Sequence, residues 1–221
     1  MKLLTRDRAN AVGTLQDRLV WQSASLLLAY PDERLAERLQ LVEELMVPIR
    51  APQAGLLAQT VASLVDIDPI AAAADYVETF DLRRRSTMYL TYWTSGDTRN
   101  RGAEIHAFAQ AYRAAGVPPP GDEAPDHLPV VLEFAATVDP VAGRRLLIEH
   151  RMPIEVVRDA LAERESPYAY AVSAVCATLP AATDQEVRRA QRLAQAGPPV
   201  ESVGLQPFTL TVPPRRTEGD Q

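Results

Sequence analysis

Asp126-His127 is the one aspartate–histidine pair in this 221-residue sequence and the natural place to look for acid–base chemistry. Neighbours on a helix point about 100° apart, so the two form no dyad by themselves. No nucleophile-elbow sequence supplies a serine to complete a triad. The residue types give Asp126 the role of helix N-cap, with Pro129 in the first turn. That reading accounts for the aspartate and the proline and leaves the histidine unexplained. His106, His127 and His150 are each isolated, without a second ligand at helical or loop spacing. HExxH and cysteine-pair spacings are both missing, so no metal site is expected. His106 is expected on a partly exposed helix face, and His150, beside Glu149, at the surface. Lys2 is the only lysine. That removes a P-loop lysine, and any Schiff-base lysine beyond the N-terminus. The expectation is a chain with no catalytic residues and no cofactor.

A second feature is better suited to binding. Tyr76, Phe80, Tyr89, Tyr92 and Trp93 gather five of thirteen aromatic residues into one stretch. At helical spacing some of them must be core, Phe80 and Tyr89 above all. Tyrosine and tryptophan also carry polar tips that suit half-wet grooves. With Asp75, Glu78 and Asp81 interleaved, the stretch is also fit to receive a basic amphipathic peptide; the residues alone leave both readings open. Arg83-Arg84-Arg85 reads as a solvated loop.

Net charge is −6, with a sequence pI near 5.2 and no basic block. Such a chain has little to offer a phosphate backbone, so no nucleic acid partner is expected. Cys176 is single, so no internal disulfide can form and nothing points to an oxidising compartment. The opening MKLLTRDRAN lacks the apolar core of a signal peptide, and no stretch has bilayer-spanning length. A cytoplasmic protein without membrane insertion is expected.

These side chains must be positioned by helices, because apolar residues repeat mostly at three and four and only ten glycines occur. A first helix carries Val12, Leu15, Leu19, Leu26 and Leu27 and ends at Tyr30-Pro31. A second has Leu35, Leu39, Val42 and Leu45 inward; a third, 53–65, has Leu57, Val61, Leu64 and Val65 inward. Asp68-Pro69 starts a fourth, lined by Ile70, Ala73, Ala74, Val77 and Phe80. Ser86 opens a short aromatic helix through Trp93. A long helix from Thr98 buries Ile105, Phe108, Ala109 and Tyr112 and ends at Gly116. Further helices cover 126–138, start at Asp139-Pro140 and at Met152-Pro153, run from Ser166-Pro167 to Pro180, and follow Thr183. The fold class is all-α, a single bundle of about nine to eleven helices over 1–196. Five of eighteen prolines fall from Gly197 onward, so 197–221 reads as a flexible Pro-rich tail.

Two separated segments carry a family resemblance. The stretch YVETFDLRRRSTMYLTYWTSGDTRNRG, Tyr76 to Gly102, resembles the signature region of the NarJ-type nitrate reductase assembly chaperones. APDHLPVVLEF, Ala124 to Phe134, does the same, with Ala124 where such chaperones often carry leucine. The wider superfamily of TorD and DmsD chaperones is similar in its Tyr-x-x-x-Phe and Asp-His elements. The resemblance implies a helical chaperone and not an enzyme. It implies binding to the N-terminal segment of the apo nitrate reductase catalytic (alpha) subunit and assistance in molybdenum cofactor insertion, without entry into the finished complex. It assigns Tyr76, Phe80, Asp126 and His127 to the peptide-binding or hinge elements; Tyr89, Tyr92 and Trp93 join them on physical grounds. The alternative is a general helical adaptor for another molybdoenzyme or an unrelated partner, and the oligomeric state stays open.

Overall fold

The computed structural model describes residues 14–96 and 99–197. Eleven α-helices and no strand occur among the described residues: α1 (Leu15–Leu28), α2 (Leu35–Met46), α3 (Gln53–Leu64), α4 (Pro69–Tyr76), α5 (Leu90–Ser95), α6 (Arg99–Ala114), α7 (Leu128–Glu133), α8 (Pro140–Glu149), α9 (Arg151–Ala162), α10 (Tyr168–Cys176) and α11 (Asp184–Ala196). The all-α class expected from the periodicity is therefore observed. The Pro-rich tail assigned to 197–221, and Val12 of the first helix, lie outside the described residues save Gly197.

Local signals fix most helix starts. Thr14 and Asp17 form a reciprocal capping box ahead of α1. Asp68 accepts from the Ala71 amide at 3.0 Å, with Pro69 in the first turn. Asp139 does the same for α8, accepting from the Val141 and Ala142 amides. Gly116 ends the long helix at φ +82°, a conformation that costs glycine little.

Apolar α10 (YAYAVSAVC) packs against α1, α3 and α9, while α1 also covers α2 and α7. Trp21, Leu27, Leu28, Leu57, Leu132, Leu147 and Tyr168 fill the centre. One polar pair inside this core is matched across the chain: the Trp21 indole N–H donates to Thr178 Oγ1 at 2.8 Å. Helix α8 crosses the segment after α7 at a glycine. A Cβ on Gly143 would stand 2.3 Å from Ala135 Cα, so only glycine permits this approach.

Several inward assignments shift. Val65 and Ile70 are exposed, α4 buries Ala72 and Tyr76, and Phe80, in the turn that follows, is buried as expected. α4 continues into a π-helical turn, Val77–Asp81. A matching π turn, Phe134–Val138, follows α7. The aromatic helix begins at Leu90 rather than Ser86, after an isolated 3₁₀ turn at Arg84–Ser86. His150 is half-buried rather than at the surface, its ring packed on Phe108 and its Nδ1 3.0 Å from the Leu146 carbonyl.

Candidate functional site

Two short chain segments meet at the centre of the site. Leu90 N–H donates to the Asp126 carbonyl at 3.1 Å and Leu128 N–H to the Met88 carbonyl at 2.9 Å, pairing Tyr89 with His127 in one antiparallel bridge. Helices α5 and α7 both leave from this bridge. Asp126 does not cap its own helix: His127 occupies the N-cap position of α7 and makes no side-chain cap. The Asp126 carboxylate, fully buried, reaches across to α5. Its Oδ2 accepts from the Thr91 amide at 3.1 Å and the Thr91 hydroxyl at 2.6 Å, a cap supplied from another helix. The sequence reading of Asp126 as cap was right in kind and wrong in helix, because a bridge of this type pairs residues far apart in sequence.

Beside the bridge opens a cleft of about 480 Å³. Tyr76 and Phe80 form part of its wall, joined by Tyr30, Tyr89, His127 and Pro129. The aromatic rings interlock: Tyr76 lies edge-on to Tyr30 at 5.4 Å and 4.7 Å from Phe80, and both Tyr76 and Phe80 contact Tyr168. The Tyr76 hydroxyl donates to the Leu28 carbonyl at 2.9 Å, tying α4 to the end of α1. The π turn after α4 turns Phe80 and Asp81 toward the same cleft. Ser25 Oγ donates to the Pro129 carbonyl and Tyr112 Oη to the Val130 carbonyl, holding α7 against α1 and α6.

Glu123 is the polar hub. It accepts from the Tyr89 hydroxyl at 3.1 Å and lies 3.4 Å from His127 Nδ1, an ion pair only when that ring is protonated. The Tyr89 ring stacks on His127 at 4.9 Å. Burial, then the Glu123 charge, pushes the Tyr89 hydroxyl up to about 12. Burial lowers His127 below its ordinary value, with Glu123, Asp126 and Asp81 acting in the opposite sense. At neutral pH the ring is therefore uncharged and the cleft net negative. Its described lining holds Asp81, Glu123 and Glu133 and no arginine. Arg101 sits over the Tyr89 and Tyr92 rings at 5.5 and 5.9 Å and donates to Thr91 Oγ1 at 3.3 Å.

Of the residues singled out in the sequence, the cleft gathers Tyr76, Phe80, Tyr89 and His127. Tyr92 and Trp93 are buried in α5, and Trp93 donates to the Thr87 carbonyl. Asp126 stands behind the bridge. Asp75 and Glu78 are exposed outside the lining; Glu78 pairs with Arg83 instead. The sequence reading missed Glu123, Glu133 and Tyr30. Glu123 had one visible signal, its spacing of four from His127.

These features define an all-helical protein with an acidic, aromatic-walled cleft between α1, α4 and α7. The nitrate reductase delta subunit family matches residues 43–174, a span containing that lining except Ser25, Ala29 and Tyr30. The chain belongs to this family, as the resemblance of its two signature segments implies. It is 30% identical over 169 residues to the probable nitrate reductase molybdenum cofactor assembly chaperone NarJ of Bacillus subtilis, covering 76% of this chain and 92% of that protein. The NarJ chaperone of Escherichia coli K12 is 30% identical over 148 residues, covering 66% of this chain and 63% of its own. The nitrate reductase-like protein NarX of Mycobacterium tuberculosis H37Rv is 59% identical over 160 residues, covering 72% of this chain. The match spans only 24% of that longer protein.

Proposed function

We propose that this chain is an assembly chaperone for nitrate reductase that acts before the molybdenum cofactor is in place and has no catalytic activity of its own. Its cleft receives a segment of the catalytic (alpha) subunit, the N-terminal one, presenting an apolar face and a basic side chain. The observation that carries this is the lining: three carboxylates, four aromatic rings and no arginine in one concavity. Such a surface attracts a cation by complementarity and holds an apolar helix face by burial. A chaperone must release its client, so micromolar affinity, on the order of −8 kcal/mol, suits the role. Deletion of the coding sequence tests the proposal. The catalytic subunit should accumulate without molybdenum by metal analysis, be restored by the wild-type chain, and be restored poorly by Glu123→Gln. A fully metallated subunit in the deletion strain would overturn it.

A further inference from the structure

Arg101 is not part of the cleft lining, yet it touches the cleft wall from behind. Its half-buried guanidinium lies 5.5 Å from the centre of the Tyr89 ring and 5.9 Å from that of Tyr92, and its Nε donates to Thr91 Oγ1 at 3.3 Å. Thr91 Oγ1 in turn donates to the buried Asp126 carboxylate at 2.6 Å. One hydroxyl therefore sits between a cation from α6 and an anion from the segment before α7. The same cation lies over the ring that stacks on His127.

The wall needs such a support. Tyr89 stands at the N-cap of α5, a helix of only 6 residues, and its hydroxyl is held by Glu123 on the cleft side. A helix this short has little stability of its own and takes its orientation from what it packs against. α6 grips it at both ends. Arg101 holds Thr91 and Tyr92 in the first turn, and Glu104, one turn further along α6, accepts from the Thr94 and Ser95 hydroxyls in the last. Of these two α6 groups, Arg101 is the one that reaches the ring lining the cleft. Lysine is no substitute there, since an ammonium lacks both the plane that lies on an aromatic face and the fixed Nε donor.

We propose that Arg101 is a positioning residue: it fixes the Tyr89 ring in its stack with His127 and so shapes the cleft for the client segment without touching that segment. Its part in client binding rests on the function proposed above; its hold on the ring does not.

Proton magnetic resonance of the full chain tests the hold without any client. Two histidines lie against aromatic rings, His127 on Tyr89 at 4.9 Å and His150 on Phe108 of α6 at 4.7 Å. Ring currents of these neighbours shift the imidazole resonances. In Arg101→Gln the His127 signals should move toward free-imidazole positions while those of His150 stay in place, and Arg101→Lys should do the same. Calorimetry with the N-terminal peptide of the catalytic subunit reads the consequence. Arg101→Gln should weaken binding about three- to tenfold, the worth of one partly buried cation–π contact. On a Tyr89→Ala background the same change should cost nothing further. Combined with Glu133→Gln, a cleft carboxylate at the end of α7, the losses should multiply. His127 signals that stay put in Arg101→Gln would overturn the assignment. So would His127 and His150 signals that move together, since α6 would then merely be displaced, or an undiminished loss on the Tyr89→Ala background. A wild-type chain that ignores the peptide while His127 alone responds would remove the client reading and keep the positioning role.

Discussion

Asp126→Ala removes the one oxygen that serves two buried donors, the Thr91 amide and the Thr91 hydroxyl. Leaving a buried donor unsatisfied costs about 1–3 kcal/mol, and loss of a helix N-cap about 1 kcal/mol, partly the same contact. The two together make a loss of about 2–4 kcal/mol. For a chain of this size each kcal/mol lowers Tm by about 2–4 °C, so thermal unfolding followed by circular dichroism should shift by roughly 10 °C. Thr91→Val removes both the hydroxyl and its demand for a partner. The double variant should therefore lose less than the sum of the singles, with a coupling on the order of 1–2 kcal/mol. Asp126→Asn keeps an acceptor and should cost less than alanine. It should leave client-peptide affinity unchanged below the melting range, because the carboxylate lies behind the cleft. A melting point for Asp126→Ala within a degree or two of wild type would refute the trans-cap argument. So would strictly additive single and double variants.

Other outcomes follow from the same geometry. Gly143→Ala places a Cβ 2.3–2.4 Å from Ala135 backbone and side chain, so urea unfolding should show a loss of about 2–3 kcal/mol; an unchanged midpoint would contradict the close crossing. His127 has a lowered folded-state pKa, so the unfolded chain binds its proton first as pH falls. Stability should drop below the ordinary histidine value of about 6.5, and His127→Gln should flatten that part of a urea-midpoint profile against pH. Protonation of the same ring adds positive charge to the cleft, so affinity for a cationic peptide should weaken over that window; a flat titration would argue against it. Glu165 holds φ at 55°, and Glu165→Gly should raise Tm slightly, by relief of about 1 kcal/mol of strain, in a thermal melt.

Helix identity was readable because capping aspartates and prolines act locally: Asp68-Pro69 and Asp139-Pro140 both start helices where their chemistry requires. The face that each helix buries was less so. Ala72, Tyr76 and Phe80, each four apart, form the buried stripe in place of one through Ile70, and which of two neighbouring stripes faces the core is decided by tertiary packing. Within the cleft, Tyr76, Phe80, Tyr89 and His127 stood out by type and by the resemblance of their segments. Glu123 and Glu133 did not, since a carboxylate in a loop or on a helix looks solvated until tertiary contact supplies a tyrosine or an aromatic wall. The Arg83–Arg85 run reads as solvent-facing, and Arg84 and Arg85 are exposed, whereas Arg83 is half-buried and pairs with Glu78, a contact that only the fold supplies.

The most direct test is calorimetric titration of this chain with a synthetic peptide of the N-terminal segment of the nitrate reductase catalytic subunit from the same genome. Saturable micromolar binding, on the order of −8 kcal/mol, is predicted. It should weaken by about tenfold in Glu123→Gln, which removes charge from the cleft, and in Tyr89→Ala, which removes its stacked ring. The absence of binding, or micromolar binding indifferent to both substitutions, would contradict the cleft as the place where the client is held.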